Sequence, residues 1–94
     1  MLLKTYVRAM YETDEAGVIT PLWIMLRDKK YEIDRVLDVC LAASAAGGHG
    51  TRYTVRIGKH QTYIFLDSYN RWFVEEKAAV PPLGNTEGIR MPKR

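Results

Sequence analysis

The chain has 94 residues, of which 47% are hydrophobic and 27% are charged, with 14 basic and 11 acidic side chains and a formal net charge of +3. This length suits one globular domain and excludes a second hydrophobic core. Arg90, Lys93 and Arg94 supply much of the positive excess. We therefore expect a nearly neutral folded body, without the strong charge excess that is typical of polyanion-binding proteins.

The sequence indicates neither secretion nor insertion into a membrane. Residues 1–6 lack the charged start and long apolar run of a signal peptide, and no apolar run approaches the roughly 18 residues that span a bilayer. The single cysteine, Cys40, cannot form an intramolecular disulfide, so we expect a small buried apolar side chain. A cytoplasmic protein is the expectation.

The first half of the chain predicts two strands that are separated by a polar turn. Residues 5–11 predict a strand, with Val7, Ala9 and Tyr11 on one side and Tyr6, Arg8 and Met10 on the other. A turn over 13–17 follows, and a second strand lies within 18–26. Pairing is expected to begin after Pro21, or Pro21 to lie at an edge or bulge, because proline has no N–H to donate. Residues 27–30 have the length of a hairpin loop.

Residues 31–46 fit two patterns. With a period of 3.6, one helical face would hold five apolar residues, Ile33, Val36, Leu37, Cys40 and Leu41. With a period of two, the odd-numbered residues from Tyr31 to Ala43 share an inward face that only Arg35 interrupts. We predict a strand, because aromatic and β-branched residues follow directly after a hairpin-length turn. A bend or bulge is expected near Arg35.

The second half predicts three more strands and a tail. Residues 52–57, 62–66 and 72–74 are short alternating runs, and the glycine-rich residues 44–51 are expected to form a flexible loop. Two prolines after residue 76 oppose further pairing, so we predict one domain over residues 4–76 and a loosely ordered C-terminal tail over 77–94. Six strands in sequence predict an all-β fold, an antiparallel meander that forms a small SH3-like barrel or a rolled sheet.

Four pieces of the sequence carry a resemblance to a family. They are PLW at residues 21–23, YEIDRV at 31–36, GTRYTVRI at 50–57 and WFVE at 72–75. Together they resemble small bacterial proteins of unknown function, of the type found in Firmicutes, with the similarity covering residues 4–76. The resemblance implies an all-β domain and no assigned activity.

We find no sequence pattern that favours catalysis or metal binding. The Gly47–Gly50 loop lacks the spacing of phosphate-binding loops, so a plain connection is expected. Cys40 and His49 could pair as thiolate and imidazole, but no third group orients them. Asp34 and Asp38 would lie about 13 Å apart on a straight strand, too far for the paired acids of a glycosidase. We therefore predict a protein that is not an enzyme and takes no cofactor or metal.

The strongest candidate site is a basic and aromatic set, in which four basic residues, Arg52, Arg56, Lys59 and Arg71, accompany Tyr53, Tyr63, Tyr69 and Trp72. The residues predicted to bind are the four basic ones and Trp72. Small barrels bind single-stranded nucleic acid through aromatic platforms that basic residues flank. Against this, Tyr53 shares the buried face, so Arg52 and Arg56 have no evident stacking partner on the solvent-facing side.

The two tryptophans, Trp23 and Trp72, are expected in or beside the core. Either could instead line a groove for a proline-rich segment, such as residues 80–83 of a neighbouring chain. The sequence thus favours a non-enzymatic protein-interaction module that binds a protein partner or a second copy. The alternative is a nucleic-acid-binding accessory protein that uses the basic and aromatic surface.

Overall fold

The computed structural model describes residues 2–77, and these residues form one antiparallel sheet of seven strands. The strands are β1 (Leu2–Thr13), β2 (Ile19–Leu26), β3 (Lys29–Glu32), β4 (Arg35–Ala43), β5 (His49–Ile57), β6 (His60–Leu66) and β7 (Trp72–Lys77). Their order across the sheet is β3-β2-β1-β7-β6-β5-β4. The predicted all-β class is confirmed, and the predicted number of six strands is wrong. The tail predicted over 77–94 lies outside the described residues except for Lys77, which ends β7.

The additional strand arises because the segment over residues 31–46 is broken in two. Ile33 and Asp34 separate β3 from β4, and their backbones bond to different parts of the sheet. The Ile33 N–H donates to the carbonyl of Leu22 in β2 at 2.9 Å, and the Asp34 N–H donates to the carbonyl of Arg56 in β5 at 2.8 Å. The strand prediction is confirmed and the helical alternative is wrong. The expected bend lies directly before Arg35, where the chain leaves β2 and joins β5.

The sheet is curled strongly into a half-barrel, and the two halves of β1 pair with different strands. Its first half, from Leu2 to Val7, pairs with β7, and its second half, from Arg8 to Thr13, pairs with β2. Two meanders, β1 to β3 and β4 to β7, are therefore joined along the β1–β7 pair. A simple meander was expected, and the pairing of the first described strand with the last corrects it.

Pro21 lies inside β2, which begins at Ile19, so the expectation that pairing begins after the proline is wrong. The register between β1 and β2 shifts at this point, between Met10 and Tyr11, and Pro21 is opposite Tyr11. A residue without an N–H is tolerated where the ladder is already interrupted. A bulge was one of the positions that the sequence analysis allowed for Pro21.

The concave side of the sheet holds the main core. Val55 and Ile64 are completely buried there, and the Tyr53 ring packs on Trp72 with ring centroids 5.2 Å apart. Burial raises the pKa of the Tyr53 phenol. The same face receives partly buried side chains from β1 to β5, so one apolar layer connects the two meanders.

A second apolar layer lies on the convex side. Phe65 and Phe73 are buried there and stack with centroids 4.9 Å apart, and Tyr6 meets Phe73 edge-on at 5.8 Å. The turn after β4 is anchored next to this pair, because Ser44 Oγ and the Ala45 N–H both donate to Glu75 Oε2. The flexible loop predicted over 44–51 is thus a short fixed turn, and β5 already begins at His49.

Candidate functional site

The first notable surface is the free edge of β4, which pairs with β5 on one side and with no described strand on the other. Val39 and Leu41 are opposite Tyr53 and Thr51, and directly opposed residues in an antiparallel pair project to the same face. The predicted inward orientation of Val39 and Leu41 is therefore confirmed. Their predicted burial is wrong, since Val39 is 50% and Leu41 is 86% exposed. The half-barrel leaves this end of its concave side uncovered.

A groove of about 610 Å³ adjoins the β4 edge. Its lining is mainly apolar and consists of Leu41, Ala42, Ala43, His49, Gly50, Thr51, Leu66, Asp67 and Ser68. Leu66 forms its floor beside the core residue Trp72, which is its partner on β7. The arrangement is suited to an extended chain that lies along β4 and places apolar side chains in the groove.

The carboxylate of Asp67, at the rim of the groove, is fully engaged in the turn between β6 and β7. It accepts hydrogen bonds from the N–H groups of Tyr69 and Arg71 and pairs with the Arg71 guanidinium at 3.0 Å. Partial desolvation opposes ionisation, but these hydrogen bonds and the adjacent positive charge outweigh it and lower the pKa of Asp67. The group is therefore a structural anion, which is unsuited to proton transfer near neutral pH.

The second notable surface is on the convex face, where the structure places most of the predicted binding residues. Arg52 and Arg56 are opposite Phe65 and Gln61 of β6, on the solvent-facing side as predicted. The guanidinium carbon of Arg52 lies 4.5 Å from the centre of the Tyr63 ring. The expected lack of a stacking partner is therefore wrong, because the diagonal neighbour on β6 supplies one.

Arg71 lies apart from this pair, at the start of β7. Its guanidinium stacks on Tyr6 at 4.5 Å and on Tyr69 at 5.3 Å. Lys59 is in the tight turn between β5 and β6, near Arg56 in sequence. The basic set thus forms two clusters on one face, each with its own tyrosine platform.

Trp72, the aromatic member of the predicted binding residues, does not lie on this surface. It is 5% exposed, projects to the concave side and packs between Tyr53 and Tyr11. An alternating strand places neighbouring residues on opposite faces, so Arg71 is outside when Trp72 is inside. Its prediction as a core residue is confirmed.

One functional candidate, Arg35, was missed from the sequence, and Tyr63 was named in the aromatic set without its contact to Arg52. Arg35 on β4 lies directly opposite Arg56, and Tyr63 carries the Arg52 guanidinium. A period-two pattern could have assigned Tyr63 to the face of Arg52 only if the β5–β6 register had been known. The Arg35–Arg56 pairing depends on a further register shift between Val36 and Asp38.

The described residues offer little for catalysis. Cys40 and His49 are opposite Arg52 and Ala43, on opposite faces of the sheet, so they form no thiolate–imidazole pair. Asp34 accepts a hydrogen bond from the Gly58 N–H at 2.7 Å. Within residues 2–77, no group of three His, Cys, Asp or Glu side chains could hold a metal ion. The same residues contain no helix that is long and apolar enough to cross a membrane.

Comparisons of the chain with protein-family models, with curated proteins and with solved structures give no match. The resemblance to small bacterial proteins therefore stays a prediction. Fold and surfaces together define the class as a small all-β protein with a curled antiparallel sheet, one free apolar edge and a basic convex face.

Proposed function

We propose that this protein is a small, cytoplasmic, non-enzymatic interaction module with the form of an SH3-like barrel. The barrel form is supported by the link between β3 and β4, because Ile33 and Asp34 bond to β2 and β5 and bring the two ends of the sheet toward each other. A lone cysteine, Cys40, fits a reducing compartment, where disulfides are rare.

The nine-residue free edge of β4 carries the proposal. A strand at the edge of a sheet exposes, on its free side, backbone N–H and C=O groups that can pair with another extended chain. Proteins usually protect such edges with charged residues, but the sequence has no Asp, Glu, Lys or Arg between Asp38 and Arg52. A register shift near Leu37 interrupts the first part of β4, so the part that is open to a new strand runs from Asp38 to Ala43.

The occupant that fits this edge best is β4 of a second copy, in antiparallel orientation about a two-fold axis at Cys40. This register places Val39 opposite Leu41 of the second copy, and the symmetry repeats the contact. Both residues project to the concave face, so four exposed apolar side chains would be covered. The two Asp38 carboxylates would be about 13 Å apart, so no like charges meet.

The test is the molar mass in solution, measured by light scattering over a concentration series. We expect concentration-dependent dimers, and we expect Leu41→Lys to weaken them at least about tenfold, since a charge then enters the apolar contact. Val18→Lys is the matched control, because Val18 is an exposed apolar residue in the β1–β2 loop. A monomeric mass throughout the series, or equal weakening by both variants, would contradict self-pairing.

Oxidative cross-linking gives a second measurement without changing the sequence. Cys40 lies at the proposed axis, where the two sulfur atoms would face each other across the new strand pair. We expect a covalent dimer that Cys40→Ser abolishes and Leu41→Lys reduces. Truncation after Lys77 tests the other occupant, residues 80–83 of a neighbouring chain, which lie outside the described residues. If truncation abolishes the dimer, the tail is the occupant and the β4 pairing is wrong.

A further inference from the structure

The convex face over β4, β5 and β6 concentrates positive charge. Arg35, Arg56 and Gln61 form one row of cross-strand neighbours, and Cys40, Arg52 and Phe65 form another. The row between them holds Asp38, Thr54 and Tyr63, and Lys59 is in the adjoining turn. The three rows thus hold three cations, Arg35, Arg52 and Arg56, and one acidic group. The adjoining turn adds Lys59, and its Gly58 N–H donates to the Asp34 carboxylate.

None of these four cations forms an ion pair with the described residues. The ion pairs formed within residues 2–77 use Arg27, Lys30 and Arg71 as their cations. Like charges directly opposite each other on a sheet are destabilising, and Arg35 with Arg56 is such a pair. The described part of the chain has eleven basic and ten acidic side chains, so this excess is local. A bound anion would relieve the repulsion.

Aromatic rings accompany this charge across the sheet. A continuous convex row runs from Tyr6 through Phe73 and Phe65 to Arg52. At one end Arg71 stacks on Tyr6, and at the other Arg52 stacks on Tyr63. The row spans four strands, or roughly 14 Å at the spacing of a sheet. Tyr63 is 42% exposed and Tyr69 is 76% exposed, so ring surface is available to a ligand.

We propose that the convex face binds single-stranded nucleic acid. Arg35, Arg52, Arg56 and Lys59 would contact phosphates, and unpaired bases would stack on Tyr63 and on the guanidinium of Arg52. A single strand fits better than a duplex, because the rings can stack only on bases that are not already enclosed in a helix. This site is independent of the proposed self-pairing, which uses the edge and concave face of β4.

The experiment is fluorescence anisotropy with a labelled single-stranded oligouridine at increasing salt. Four phosphate contacts predict a slope of about −3 in a plot of log affinity against log salt, from about 0.7 per contact. The double variant Arg52→Ala/Arg56→Ala should lose at least about tenfold in affinity at low salt. Arg35→Ala should reduce the slope by about 0.7.

Lys29→Ala/Lys30→Ala is the matched control, since it also removes two positive charges but acts at β3. We expect it to change affinity less than about twofold. Tyr63→Ala should cost at least about fivefold, whereas Tyr63→Phe should bind normally, because stacking needs the ring and not the hydroxyl. Circular dichroism of each variant checks that the sheet is retained.

Three outcomes would overturn the nucleic-acid site: no binding at low salt, an equal loss in the β3 control, or equal affinity for a duplex of the same length. None of them affects the self-pairing proposal, whose readout is molar mass. Likewise, a monomeric protein that binds the oligouridine as described would support this site and contradict only the β4 dimer.

Discussion

The two edges of the sheet are consecutive in sequence but opposite in character. β3 has four residues, of which Lys29, Lys30 and Glu32 are charged, while β4 has nine residues and only two charged ones, Arg35 and Asp38, both in its first half. Only Ile33 and Asp34 separate them. A short charged edge is the usual protection against unwanted strand pairing, and a long neutral edge lacks it. The contrast shows that one edge carries this protection in its composition and the other does not.

The two edges do not differ in how they are tied to β7. Arg27, in the turn before β3, binds Glu76 at 2.6 Å, and Thr5 also donates to that carboxylate. On the other face, the turn after β4 is held by Glu75. Two adjacent glutamates that project to opposite sides thus anchor both ends of the curled sheet. Both edges are firmly positioned, so their difference lies in side-chain chemistry.

The largest expected effect is from Ile33→Ala, at the junction of the two edges. Ile33 packs against the core and its N–H bonds to β2, so truncation should lower the free energy of unfolding by about 2 kcal/mol. Leu41→Ala is the control, because an 86% exposed side chain should cost less than about 0.5 kcal/mol. Chemical denaturation of both variants measures this. Equal losses would mean that the junction does not support the core.

A second prediction exchanges the character of the edges. Lys29→Thr/Lys30→Val makes β3 neutral and β-branched, and we expect it to create new association in a Leu41→Lys background that is otherwise monomeric. The expected gain is at least about tenfold in association constant, measured by light scattering. If the protein with the neutral β3 stays monomeric, the short length of β3, and not its charge, protects this edge.

A smaller effect is expected in the turn between β2 and β3. Arg27 and Asp28 both have positive φ, 51° and 63°, which side-chain-bearing residues adopt at a cost. Asp28→Gly should therefore stabilise the protein by about 0.5 kcal/mol, measured by thermal unfolding. The same substitution at Asp38, on an extended strand, should destabilise it by a similar amount. A change in stability of the same sign at Asp28 and at Asp38 would contradict the turn assignment.

The smallest effect concerns pH. Hydrogen bonds from Thr5 and Arg27 lower the pKa of Glu76 from its ordinary value of 4.5. The folded state therefore binds this proton more weakly than the unfolded state, so the contribution to stability is present above pH 4.5 and is lost as the pH falls through the folded-state pKa. Urea denaturation at several pH values should show that the free energy of unfolding decreases as the pH falls, and Glu76→Gln should make this decrease smaller.

Much of the fold could be predicted from alternation alone. Period two placed Arg52 and Arg56 outside and Tyr53 inside, and it identified residues 31–43 as mainly extended. It put Val36 on the outer face, whereas Val36 packs against the core. Alternation cannot say which strands are neighbours, so the β1–β7 pair and the uncovered position of Leu41 were not predictable. A surface pair such as Arg35 and Arg56 needs the register, and a single bulge changes the register without a clear mark in the sequence.

The pairing of β1 with β7 also governs when this sheet can be completed during synthesis. Thr5 and Glu76 are 71 positions apart in the chain, yet their side chains share a hydrogen bond. The β1–β2 and β4–β5 hairpins form from contacts that are close in sequence, whereas the seam between the two meanders must wait until the ribosome has released β7. Until then Phe65 lacks its stacking partner Phe73, and the first half of β1, Leu2 to Val7, lacks its partner strand. The nascent chain is therefore most vulnerable to aggregation just before its last described strand emerges.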